Sequence, residues 1–216
     1  MAESSEHSTT DTDAATATGD ATDTASRPQP DLLPIALKDL AIILAALSLW
    51  AAADTWYLVT GLWLAQVVVI GDAILVGLLL TALAHEWGHY AGALAVKAET
   101  RLITPARFSL FRFRFAYDDN STEQFHWMTY GGHIAHWVIT LLIFIALPMD
   151  SLGRIALIGA MMAFIAFATF FEYHIVKDTW AGADPGERLS EVTRRDFQHA
   201  AVVGALVGLF VIAGLA

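Results

Sequence analysis

The chain has 216 residues, of which 56% are hydrophobic and only 16% charged, and a mean hydropathy of +0.53; this balance marks a polytopic membrane protein and excludes an ordinary soluble globular domain. It contains no cysteine, which rules out disulfides, thiolate metal ligands and cysteine nucleophiles, so any metal must sit on His, Asp or Glu. The net charge of −10 is uneven, with seven acidic residues in 1–31 against Arg27 alone.

Residues 1–31 are mostly Thr, Ala, Ser and Asp with almost no large apolar side chains, so they are expected to form a disordered acidic tail, and they lack the basic start and apolar run of a signal peptide. Residues 32–216 then form one membrane-embedded domain. Apolar runs fall at Leu32–Ala53, Trp56–Ile70, Ala73–Val96, Phe125–Leu147, Ile155–Val176 and Phe197–Ala216, against the ~20 residues a spanning helix needs. The second run is short and ends at Gly71 and Asp72, so the expected fold is an all-α polytopic membrane protein with five or six transmembrane helices. Lys97, Arg101, Arg107, Arg112 and Arg114 share one loop and Lys177, Arg188, Arg194 and Arg195 another, whereas the loop between them has only Arg154. The two basic loops are therefore expected on the cytoplasmic side, of the plasma membrane by expectation. The basic residues Arg27 and Lys38 are expected to join them there, which is taken to favour six spans.

Within the first basic loop, Arg107-Phe-Ser-Leu-Phe-Arg-Phe-Arg-Phe-Ala-Tyr alternates, with Phe111, Phe113 and Phe115 on one face and Arg112 and Arg114 on the other. This predicts a small interfacial β-hairpin insertion over about 100–119. Such a strand can anchor the protein at the membrane surface or hold an extended peptide by edge pairing. Gly204 and Gly208 in the last run form a Gly-x-x-x-Gly pair, common in packed bundles, and leave the oligomeric state open.

The third run carries His85-Glu86-Trp87-Gly88-His89, the HExxH pattern. Ionisable side chains inside a membrane helix are costly and point to function. Four residues apart, His85 and His89 share a helix face and can reach one metal ion, while Glu86, projecting beside them, can serve as general base towards a water on that ion. Gly88 leaves room for a neighbouring helix, and Trp87 is expected only to pack. A catalytic zinc takes three protein ligands. The third must come from elsewhere, and Glu172, His174, Asp178 and Asp184 lie towards the same side of the membrane. His133 and His136 can orient a ligand, bind a developing oxyanion, bind metal or simply hydrogen-bond between helices. His126 and His199, near span ends, are expected to do only the last.

In the order of these features the chain resembles the site-2 protease family of intramembrane zinc metalloproteases, whose members show a membrane HExxH, a β-rich insertion, a Gly-Pro-x-x-Asn motif and a later Asp that is the third zinc ligand. Here His85 to His89, the Arg101–Tyr117 stretch and Gly131-Gly132-His133-Ile134-Ala135-His136 follow in that order, over roughly Ala73 to Glu187. His133 and His136 replace the expected Pro and Asn, and the Asn-Pro-rich stretch before the later Asp is missing. The resemblance implies zinc on His85, His89 and Asp178, with Glu86 catalytic, in a zinc endopeptidase whose substrate is a membrane protein or peptide. The alternatives are a membrane di-iron lipid hydroxylase or desaturase, for which His85-x-x-x-His89, His133-x-x-His136 and Glu172-x-His174 would be the histidine boxes, or a non-catalytic protease-like adaptor. No nucleic-acid module, phosphate loop or catalytic Ser motif is present in the sequence.

Overall fold

A computed structural model describes residues 30–103 and 110–216. The tail expected at 1–31 lies outside the described residues except for Pro30 and Asp31, as does the 104–109 part of the insertion. The chain is an all-α polytopic membrane protein with five helices long and apolar enough to span a bilayer: α1 Leu32–Thr60, α2 Trp63–Ala95, α3 Thr122–Ala146, α4 Leu152–Trp180 and α6 Arg194–Leu215. Strands β1 Thr100–Leu102 and β2 Phe113–Phe115 lie between α2 and α3, and the short α5 Pro185–Ser190 lies between α4 and α6.

The sixth span does not form. The apolar run at Trp56–Ile70 is divided between α1 and α2, which meet at Gly61 in the left-handed region (φ 63°), its N–H donating to Tyr57 O at 2.8 Å. Glycine takes that conformation without a steric penalty, which allows a two-residue turn. Five crossings bring Lys38 to the same end as the two basic loops, so its placement there requires five spans, and the charge argument for six is reversed. At that end the helices start on polar caps. Asp31 accepts from Leu33 N at 3.1 Å, Ser121 and Gln124 form a capping box on α3, and Thr193 with Asp196 does so on α6, satisfying amides that lipid cannot.

Packing is centred on α2, which contacts α1, α3 and α4, while α6 lies on α4. Large side chains such as Leu44, Leu75, Ile145, Leu206 and Phe210 point outward, which suits a lipid solvent. In that solvent helices gain little from hydrophobic burial and pack through close backbone contact. The α2–α3 contact is the clearest case. A β-carbon on Gly92 would lie 2.5 Å from Trp127 O, and one on Gly131 would overlap the Gly88 carbonyl oxygen. Gly204 and Gly208 serve a similar contact inside the chain, against Ala163, Phe167 and Gly159 of α4. At the end opposite the basic loops, Arg154 Nη2 lies 2.9 Å from Asp54 Oδ2 and Arg154 Nη1 lies 2.8 Å from Asp150 Oδ1, so the single basic residue there is neutralised by α1 and by the residue just before the α4 cap.

The insertion is a two-stranded antiparallel ribbon with Arg101 opposite Arg114. Its aromatic face turns into the protein. Phe111 is buried and stacks on Trp87 with centroids 4.0 Å apart, Phe115 packs with Ala93, Phe125, Met128 and Ile175, and Arg112 and Arg114 stay exposed. Trp87 does more than pack, since its indole N–H donates to the buried carboxylate of Asp39 on α1 at 3.0 Å.

Gly131→Leu should force α2 and α3 apart, at a cost of about 3 kcal/mol or more, with a lower melting temperature in detergent and loss of bound metal. Gly71→Ala, where nothing lies within 4 Å of the added carbon, should leave both unchanged.

Candidate metal centre

His85 and His89 lie ten and six residues before the end of α2, on the face that meets α3 and α4. Room for their rings comes from Gly132, where a β-carbon would sit 2.5 Å from His89 Cε1 and 2.9 Å from His85 Nδ1. Glu172 reaches in from α4. Its Oε1 is 2.8 Å from His85 Nε2 and 3.4 Å from His89 Nε2, and the two Nε2 atoms are 2.9 Å apart. One ligand atom from each of His85, His89 and Glu172 lies within 4.8 Å of the others.

The hydrogen-bond pattern assigns one proton. Met128 O can only accept, so His89 Nδ1, 3.0 Å away, carries the hydrogen and donates it, leaving Nε2 with a free lone pair in the neutral ring. This is the usual outer support of a metal-bound histidine. Two imidazole nitrogens from α2 and a carboxylate oxygen from α4 are a donor set that fits zinc or a similar divalent ion.

Asp178, the third ligand implied by the resemblance, does not join the histidines. Its side chain is 41% exposed and pairs with Arg188 Nη2 at 2.7 Å. Asp184 caps α5, accepting from Glu187 N at 2.8 Å, and His174 is exposed. The physical reason is depth. Glu172 lies eight residues before the end of α4, between the depths of the two histidines on α2, whereas Asp178 lies two residues before it. In the sequence the corresponding apolar run ends at Val176, four residues beyond Glu172 and two short of Asp178, which already ranks Glu172 as the deeper of the two.

Of the two α3 histidines, His133 touches the trio through the other Glu172 oxygen, Nε2 to Oε2 being 3.1 Å. His136 is fully buried, stacked on His85 with centroids 5.0 Å apart, and its Nε2 lies 3.4 Å from His133 Nδ1. His126 bonds Thr179 Oγ1 at 2.8 Å and stacks on Trp180, a link between α3 and α4 away from the trio. Glu86, one residue along from His85, is half-buried. Tyr117, just after β2, shares a cavity with His89 and Glu172. Burial, with the Glu172 charge beside it, pushes its phenol up from the ordinary value, so it keeps its proton throughout the neutral range.

Comparison of the chain with protein-family models, curated proteins and solved structures finds no match.

Elemental analysis of the purified protein should find about one divalent ion per chain, lost in His85→Ala, His89→Ala and Glu172→Ala and kept in Asp178→Ala. His133→Ala should weaken the affinity by about 10–100-fold, the effect of removing an outer partner. Metal retained in Glu172→Ala but lost in Asp178→Ala would refute this ligand set.

Proposed function

We propose that the chain is an intramembrane metallopeptidase that hydrolyses peptide bonds of membrane-associated substrates. The observation that carries this reading is the meeting of His85, His89 and Glu172 inside membrane helices, with Glu86 on the same turn of α2. Charged groups gathered at this depth are expensive unless they are used.

A divalent ion on His85, His89 and Glu172 supplies Lewis acidity and lowers the pKa of water at the site. Glu86 accepts one proton from the attacking water and delivers it to the amine nitrogen as the C–N bond breaks, so the acyl carbon gains the water oxygen and the amine leaves neutral. His89 is held in one tautomer by Met128 O, and His133 steadies the second oxygen of Glu172. Tyr117 offers a phenolic proton to a substrate carbonyl. The site lies towards the end with the basic loops, which the charge bias assigns to the cytoplasm, so the scissile bond is presented near that surface. A resident zinc and membership of the site-2 protease group are part of the same proposal.

With its ion retained, Glu86→Gln in proteoliposomes should cleave a panel of membrane-embedded peptides about 10²–10⁴-fold more slowly than the parent, the usual worth of a general base. Unchanged cleavage would remove Glu86 from the mechanism. Two irons per chain with oxygen-dependent lipid products would replace hydrolysis by oxidation.

A further inference from the structure

A cavity of about 190 Å³ opens beside the metal centre, with His89 and Glu172 among its lining residues. Besides His89 of α2, four elements supply its apolar walls: Phe113 and Phe115 of β2, Phe125 of α3, Phe171 and Ile175 of α4, and Leu189 of α5. We propose that this cavity is the side-chain subsite that selects the substrate, taking one large apolar residue, Leu, Met or Phe, next to the scissile bond. The inference rests on the peptidase reading.

Three observations support it. Proximity is the first: a group filling the cavity lies against His89 and Glu172, so a peptide bond held at those residues has the cavity within reach of an adjacent side chain. Size is the second, because an apolar cavity of ~150 Å³ lined by Leu, Ile and Phe is enough to bind benzene, and 190 Å³ takes a phenyl or isobutyl group with room to spare. Polarity is the third. Apart from His89 and Glu172 the lining has no ionisable group except the Tyr117 phenol, and Thr129 already spends its hydroxyl on Phe125 O at 3.0 Å. A charged substrate side chain would lose its hydration with nothing to replace it.

The same geometry gives the insertion a role. Phe113 and Phe115 form part of the wall, so the stretch that interrupts the helices also shapes what the site accepts. Phe113 and Leu189 are only partly buried where they pack against the cluster of Ala93, Phe115, Phe125, Met128 and Ile175, so replacing either removes less buried surface than replacing Phe115 or Phe125 would.

The test uses the full chain in nanodiscs and matched peptides carrying Ala, Leu, Phe, Trp or Asp at the position beside the cleaved bond. Cleavage is profiled in the parent, and binding is measured by fluorescence anisotropy in metal-loaded Glu86→Gln. The parent should favour Leu and Phe over Ala by about tenfold or more, the scale set by one or two methylenes in an apolar pocket, and should reject Asp. Leu189→Trp, which fills the cavity, should lower the Phe-to-Ala ratio about tenfold in both readouts, and Phe113→Ala should admit Trp, with metal content checked in each variant. Peptides that are cut and bound with a ranking indifferent to both variants would overturn the subsite while leaving the peptidase standing. A metal-loaded parent that cuts none of them, with a Glu86→Gln form that binds none, would take down the peptidase reading and the subsite together.

Discussion

The grouping of His85, His89 and Glu172 depends on how closely α2 approaches α3. Gly88 and Gly92 on one helix meet Gly131 on the other with no space for a β-carbon, and Gly132 leaves the gap that the His85 and His89 rings occupy. Lipid tails are as apolar as leucine, so helices in a bilayer gain little from hiding hydrophobic surface and rely on intimate contact instead. The glycines thus perform two tasks with one feature: they hold the helices together and open a slot wide enough for two imidazoles.

The second constraint is charge. A carboxylate at the depth of Glu172 needs partners, and His85, His89 and His133 all lie within 3.4 Å of its oxygens. At the opposite end of the bundle Asp54 meets Arg154 in the same way, and at the depth of the histidines, on another face of α2, Asp39 takes the Trp87 indole. Each of these contacts joins different helices, so the polar groups that lipid penalises also fix how the helices are arranged. Breaking one partner of such a pair costs far more than the pair contributes, because the other is left buried and alone.

Much of this was legible in the sequence. Three of the apolar runs fall within a few residues of α3, α4 and α6, and the alternation around Phe113 matches β2. The false sixth span came from breaking the apolar runs near Asp54 and at Gly71–Asp72, whereas both aspartates lie inside helices, Asp54 paired with Arg154, and a single left-handed glycine made the turn. Among the candidates for a third ligand the motif order favours Asp178, whereas depth along the helices brings Glu172 to the two histidines. The inward turn of the Phe111–Phe115 face could not be read from alternation, since period two separates the faces without saying which one the helices cover.

The two-residue turn at Gly61 has a further consequence. Among the described residues, the connections at that end of the bundle are only Gly61–Leu62 and the stretch from Leu147 to Ser151, whereas the opposite end carries the ribbon, α5 and both basic loops. Among the described residues the bundle is lopsided along its axis, with two short turns at one end and nearly all of the non-helical chain at the other. Among the described residues, a signal arriving at the end with the two short connections meets only those turns and the helix ends, and its path to the buried histidines runs along the helices.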